Sequence, residues 1–577
     1  MKRWLWGFLA GVMAVFVLFV VVGLLSWHLQ QRPPEVSPGT TLVLEIHGDV
    51  PEQSPTDALG HLLAPEGPLT FISLLRQVEK AETDPRITTI LLKPSQLDMG
   101  WAKLQQLRRG LEHFQQRGKT ISAILEVAGS REYFLASVAS KIYFSPVGFL
   151  DLKGMRAEVM FFKDTLAKIG VEADLERIGP YKNFADQFTD NQMSDAFREV
   201  TNSLLDSVYG NFLATVAAAR HRSADDMRAL IEENGPFDAE AALQLGLVDE
   251  LQYEDQVLKP KDKGAKPVPT IELREYRRVP RQDEDARGRQ RIALLYAVGE
   301  ITSGDDDWDP LSSGKTLGAK TMVSVAESIA EDDSIKGVLV RIDSPGGDAF
   351  ASENIWRSFM ALWEKKPIVF SMSDTAASGG YLIAMTGDPI VAEASTLTGS
   401  IGIVYGKLNL KGLYDKLGVR KEIIRRGPLS AMDSDYGSYT PQERARVQAL
   451  MQDFYGKFLA HVAEARKMTP EEVDRVAQGR VWTGEQAHRN KLVDEVGGVP
   501  RALELLRQKA GIPPEAGIEL VEFPRRKSLL EIVVNRLQRG EARLPAELGE
   551  WLGRWERLQE LSRSPWWARL PWEFGFR

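Results

Sequence analysis

Val338-Leu339-Val340-Arg341-Ile342 runs straight into Asp343-Ser344-Pro345-Gly346-Gly347-Asp348. The first five residues are apolar and largely β-branched apart from one arginine, the composition of a buried strand. A proline followed by two glycines cannot extend that strand, so the backbone must turn at its end. The pattern recurs twice. Pro367-Ile368-Val369-Phe370-Ser371 leads to Asp374-Thr375-Ala376-Ala377-Ser378-Gly379-Gly380-Tyr381, and Pro389-Ile390-Val391 leads to Thr398-Gly399-Ser400-Ile401-Gly402. The spacing predicts a helix over residues 352–363, between the first two strands. One such turn is an ordinary loop. Three of them at successive strand ends gather small residues where a ligand can approach the backbone. Ser378 stands at a strand-to-helix turn, with its hydroxyl expected to be exposed and the next backbone N–H free. The Gly346-Gly347 turn is expected to keep its N–H groups out of any sheet. A hydroxyl beside two free N–H groups supplies a nucleophile and an oxyanion hole, here with Gly347 and Gly379 as donors.

The chain repeats itself. Leu42-Val43-Leu44-Glu45-Ile46-His47-Gly48 parallels Ala293-Leu294-Leu295-Tyr296-Ala297-Val298-Gly299, and Tyr133-Phe134-Leu135-Ala136 parallels Tyr381-Leu382-Ile383-Ala384. Gly179-Pro180 parallels Gly427-Pro428, and Leu247-Val248-Asp249-Glu250 recurs as Leu492-Val493-Asp494-Glu495. The displacement is nearly constant, so one domain is present twice. Each copy alternates apolar strands with amphipathic helices, as in residues 197–220 and 442–466, which makes the class α/β.

The copies differ in complementary ways. Ser378-Gly379-Gly380-Tyr381 aligns with Ser130-Arg131-Glu132-Tyr133, whose Arg and Glu would crowd an oxyanion hole. The glycine pair of the second copy has no counterpart after Lys93. Conversely, Gly179-Pro180-Tyr181-Lys182 aligns with Gly427-Pro428-Leu429-Ser430, so the lysine is found only in the first copy.

Asp-Ser-Pro-Gly-Gly, Ala-Ala-Ser-Gly-Gly-Tyr and Thr-Gly-Ser-Ile-Gly resemble the motifs of the S49 serine peptidases. The resemblance runs over roughly residues 40–500. It implies a Clp-protease/crotonase-like fold, here as a tandem repeat, and a Ser–Lys dyad with Ser378 as nucleophile. Lys182 matches the position of the family's base. Ser400 matches a third residue that hydrogen-bonds the lysine and orients it. The resemblance also implies a bowl-shaped homo-oligomer, a tetramer, and no cofactor. An ordinary lysine is neutral about once in 2,500 at pH 7, so Lys182 would need desolvation in an apolar interface to act as a base.

Composition bounds the alternatives. The 577 residues are 43% hydrophobic and 26% charged, with net charge −8 and no cysteine. Disulfides, thiolate metal sites and a cysteine nucleophile are excluded, and the charge gives nucleic-acid binding no support. The histidines (28, 47, 61, 113, 221, 461 and 488) stand away from the Gly-rich turns, which disfavours a His-based triad. Residues 4–27 carry no charge and follow Lys2-Arg3. As a helix they span about 36 Å, against about 30 Å of hydrocarbon. The positive-inside rule then keeps residues 1–3 cytoplasmic.

The expected organisation is a stub (1–3), a single-pass anchor (4–27), a Pro-rich spacer (28–40) and a first domain bearing the lysine (41–256). A solvated linker (257–290), a second domain bearing the serine (291–524) and a Trp/Arg-rich tail (525–577) follow. The tail is expected at the membrane interface or against a neighbouring subunit. The expected function is a membrane-anchored serine endopeptidase on the periplasmic side of a bacterial inner membrane, cleaving hydrophobic peptides such as signal-peptide remnants. The rivals are a crotonase-type acyl-CoA enzyme and a non-catalytic membrane scaffold.

Overall fold

A computed structural model describes residues 33–53, 68–258, 268–281, 289–305 and 316–524, and the backbone of 566–569. The expected stub and anchor lie outside these residues, as do part of the spacer and most of the tail. Among the described residues no helix is long and apolar enough to cross a membrane.

Two sheets follow one plan. In the first, Lys141–Leu150, Thr120–Ala128, Ile87–Leu97 and Thr40–Gly48 lie side by side and parallel. In the second, Leu397–Gly399, Ile368–Ala377, Ile335–Ser344 and Gln290–Val298 do the same. The central strands are buried on both faces, which is why they read as continuous apolar runs. Ile368–Ala377, hereafter the serine strand, continues past Ser371 to end directly before Ser378. The helix expected at 352–363 begins earlier, at Ala349, because the Asp348 carboxylate accepts the Ala351 N–H at 2.7 Å and caps it. The long helices Asp195–Ala219 and Pro441–Arg466 likewise start at side-chain caps, Ser194 and Thr440.

A third sheet interlocks the copies. Its order is Thr316–Gly318, Glu300–Thr302, Gly346–Asp348, Trp566–Arg569, Ile403–Asn409, Glu172–Ile178. The last strand comes from the first copy and pairs antiparallel with Ile403–Asn409 along its whole length, from Ile403↔Ile178 to Asn409↔Glu172. The chain just beyond it holds Lys182, so this pairing carries the lysine into the second copy.

Part of the expected linker is not solvated. Thr270–Glu272 adds to the first sheet beside Thr40–Gly48, and Tyr276 is buried. The Lys80 ammonium donates to the carbonyls of Tyr276 and Val279, both at 2.6 Å. Ile271, Leu273, Tyr276 and Val279 supply an apolar face that the surrounding charges obscure in the sequence.

A buried ion pair also joins the copies. Arg341 of the second sheet and Glu52 of the first copy lie 2.7 Å apart, with side chains 1% and 0% exposed. Arg341 donates further to Ser371 Oγ at 2.9 Å and Ser373 Oγ at 3.0 Å. Removing one partner strands the other charge out of water. Arg341→Met is therefore expected to cost about 3–5 kcal/mol in denaturant unfolding. A loss under about 1 kcal/mol would mean that the pair does not hold the copies together.

Candidate active site

Ser378 links the serine strand to the short helix Gly379–Leu382 with φ 57° and ψ −116°. A non-glycine residue there costs about 1–3 kcal/mol and persists only where its surroundings impose it. Its N–H donates to the Gly399 carbonyl at 2.7 Å, and its own carbonyl accepts from Tyr381 and Leu382. Ser400 is also left-handed, with φ 52°, and its N–H donates to the Arg480 carbonyl at 2.7 Å. The two strained turns thus face each other across a fixed gap.

Lys182 fills that gap. Its Nζ lies 2.7 Å from Ser378 Oγ, 3.0 Å from Ser400 Oγ and 2.9 Å from the Ser400 carbonyl. The three residues belong to one chain, and each is 0% exposed. The expectation of an exposed Ser378 hydroxyl is therefore wrong. The segment carrying Lys182 closes over the turn, and an amine kept from water keeps the hydroxyl it touches from water too. Burial holds the Lys182 amine well below the ordinary lysine value, and its three partners are neutral oxygens. A protonated amine would donate to all three. A neutral one donates to the two Ser400 oxygens and accepts the Ser378 proton.

Glycines make room for this seat. A Cβ on Gly479 (φ 78°) would lie 2.5 Å from both the N and Cβ of Lys182, and one on Gly402 would lie 3.3 Å from its Cδ. A Cβ on Gly179 (φ 91°) would meet the Gln478 backbone at 2.3 Å. The Tyr181 N–H donates to the Gln478 carbonyl at 3.1 Å, and the Gly479 N–H to that of Ile401 at 2.8 Å. Gly402 belongs to a motif visible in the sequence. Gln478-Gly479-Arg480 was missed, because only a glycine at the end of a helix marks it and nothing local says what it faces.

The opposite wall also departs from expectation. Gly346–Asp348 is a short strand, not a turn outside any sheet, and the Gly346 N–H donates to Ser344 Oγ at 3.2 Å. Gly347 pairs with Ile301 on one side, where a Cβ would meet the Ile301 carbonyl oxygen at 2.2 Å. On the other side it pairs with Ala568 of the tail. Four tail residues, Trp566–Arg569, thus run antiparallel to both Gly346–Asp348 and Ile403–Asn409. Gly379 heads its helix, where an N–H has no partner within the helix. A Cβ on Gly380 would meet the Ser344 carbonyl oxygen at 2.6 Å, so glycine lets that helix abut the turn.

The first copy fills the equivalent space. Glu132, aligned with Gly380, accepts the N–H groups of Leu97 at 2.6 Å and Gly129 at 2.9 Å. A carboxylate of the chain itself takes up these two backbone donors, and a side chain stands where the second copy keeps a glycine.

The sequence matches peptidase family S49 over residues 112–267 and 361–513, one stretch containing Lys182 and the other Ser378. It is 34% identical to the chloroplastic serine protease SPPA of Arabidopsis thaliana, over 87% of this chain and 73% of that protein. It is 31% identical to Protease 4 of Salmonella typhi (88% and 86% covered) and 27% identical to Protease 4 of Haemophilus influenzae (88% and 84%). The chain belongs to peptidase family S49. It is a serine peptidase, a hydrolase, which sets aside the acyl-CoA and scaffold alternatives.

Gly479→Ala tests the seat of the lysine without touching Ser378. Displacing an aligned group by about 1 Å costs on the order of 100-fold in rate. Peptide hydrolysis is expected to fall by about that factor in the folded variant, and wild-type turnover would show that the loop does not position Lys182.

Proposed function

We propose that this chain is a membrane-anchored endopeptidase with a Ser378–Lys182 dyad, two Clp-protease/crotonase-like domains and a preference for hydrophobic peptides such as signal-peptide remnants. The observation that carries the reading is the 2.7 Å contact between Lys182 Nζ and Ser378 Oγ in a seat without solvent exposure. Neutral Lys182 takes the Ser378 proton as Oγ attacks the scissile carbonyl. The N–H groups of Gly347 and Gly379 receive the oxyanion. Lys182 then protonates the leaving amine, and a water activated by the same amine hydrolyses the acyl-enzyme. Ser400 holds the amine in line through both of its oxygens.

The substrate enters as an extended strand. Trp566–Arg569 marks the place, since its backbone pairs on both sides with strands that border the site. Ala376, Ala377, Gly379, Gly380, Thr398 and Ile401 are buried around the serine and carry no charge. The nearby acids are engaged: Asp348 caps a helix, Asp343 accepts the Thr375 N–H, and Asp374 accepts the Lys103 N–H. An unpaired substrate charge would cost several kcal/mol there, whereas apolar side chains gain about 25 cal/mol per Å² buried. The uncharged run of residues 4–27 supports an inner-membrane anchor with the site on the periplasmic side, where a tetramer would enclose it.

Ser378→Ala and Lys182→Ala are each expected to abolish peptide hydrolysis in a folded protein. Lys182→Arg is not expected to rescue, since a guanidinium stays protonated. Substantial turnover by purified Ser378→Ala would remove the nucleophile assignment.

A chain ending at residue 524 vacates the strand position, so its KM for an apolar peptide is expected to fall while kcat is kept. An unchanged KM would place the substrate elsewhere.

A further inference from the structure

Between Ile342↔Met372 and Ser344↔Ala376 the pairing of Ile335–Ser344 with the serine strand shifts register. The serine strand bulges there through Ser373, Asp374 and Thr375, just before Ser378. Two carboxylates hold the bulge. Asp343 Oδ1 accepts the Thr375 N–H at 3.0 Å. Asp374 Oδ1 accepts the Lys103 N–H at 3.0 Å, and so caps helix Trp101–Gln116 of the first copy. Gly100 precedes that helix, and a Cβ there would lie 2.2 Å from the Asp374 carboxyl carbon.

The Lys103 side chain, 5% exposed, completes the cluster. Its Nζ is 3.7 Å from Asp374 Oδ2, 3.9 Å from Asp343 Oδ2 and 3.4 Å from Asp49 Oδ1, and it donates to the Val50 carbonyl at 3.2 Å. Asp343 and Asp374 are only 19% and 20% exposed. Burial works against the Lys103 charge, but Asp374, Asp343, Glu52 and Asp49 outweigh it and hold the amine above the ordinary lysine value. Burial pushes Asp343 up to about 7 against the pull of Lys103. The bridge is thus a cation of one copy between two acids of the other.

Its location gives it a role. Asp343 shortly precedes Gly347 in sequence, and Asp374 shortly precedes Ser378, so a shift of either carboxylate is passed to an element of the site. The corresponding stretch of the first copy, Glu126-Val127, is exposed. Among the described residues the cluster accompanies the copy that holds the serine.

We propose that Lys103 is a positioning residue for peptide hydrolysis, bridging Asp343 and Asp374 so that the Gly347 strand and Ser378 stay in register with each other. The proposal rests on the Ser378–Lys182 reading. Without the ammonium, Asp343 and Asp374 lose the cation that sets their spacing; in so poorly solvated a site one of them takes up a proton instead, and the bulge is no longer held.

The test uses the full chain, with kcat expressed per Ser378 titrated by a serine-reactive probe, so that loss of folded protein does not count. Lys103→Met is expected to lower kcat by about 10- to 100-fold with KM nearly unchanged. Adding Asp374→Asn, which keeps an acceptor for the backbone N–H and leaves no second buried acid without its cation, is expected to restore most of the loss. A role limited to stability would lower the melting temperature and leave kcat per titrated site intact, which would overturn the proposal. If Lys103→Met does not fold, Asp374→Asn alone decides. A fall of about tenfold in kcat supports the bridge, and wild-type kcat overturns it. Wild-type kcat in these variants, with Ser378→Ala inactive, would sink this inference alone, whereas an active Ser378→Ala would sink the reading beneath it.

Discussion

The dry contact of the Lys182 amine with Ser378 and Ser400 is the constraint around which the rest is arranged. Each unit of pKa depression costs about 1.36 kcal/mol of differential solvation, and burial is the force that supplies it here. No single copy of the domain provides such a seat. The lysine leaves the first copy on Glu172–Ile178 and is delivered by the pairing of that strand with Ile403–Asn409. Gly402 and Gly479 then receive it where any side chain would intrude. Interlocking of the copies is thus part of the site's chemistry as well as of its stability.

The two copies show what the reaction demands beyond the shared fold. Both keep the parallel sheet and a tyrosine whose hydroxyl donates to a distant leucine carbonyl: Tyr133 to Leu247 and Tyr381 to Leu492. At the position where the second copy has Gly380, packed against the Ser344 carbonyl, the first has Glu132. Its carboxylate ties down the backbone donors of Leu97 and Gly129. One substitution satisfies two backbone N–H groups internally and puts a side chain where the second copy keeps a glycine. The charged groups are distributed accordingly. The Arg341–Glu52 pair and the Lys103 cluster lie at the junction beneath the serine-bearing turn, where displacement would matter most.

Much of this was legible in the sequence. The three strand-end turns, the duplication, the long helices and Ser378 follow from apolar runs and glycines; Lys182 stands out as a difference between the copies, and its role and that of Ser400 come from the resemblance to the S49 motifs. What was not legible is non-local. Ser378 reads as exposed because nothing near it tells that residues 179–182 will cover it. Gly346-Gly347 reads as a free turn because its strand partners, Ile301 and Ala568, are distant in sequence. Residues 270–279 read as solvated because four apolar side chains are scattered among charges. Gly479 and Lys103 look ordinary until the chain folds, since their importance lies wholly in what is brought to them.

The central claim is that Ser378 is activated by a buried, neutral Lys182, and the most direct measurement is the rate at which a phosphonylating probe labels the protein across pH, with the label located by peptide mapping. The account predicts a single label on Ser378. Its rate should rise with pH through a midpoint well below the ~10.4 of a free lysine. In Lys182→Ala the labelling should collapse at every pH. Labelling at another residue, or labelling of Ser378 as fast without Lys182 as with it, would contradict the account.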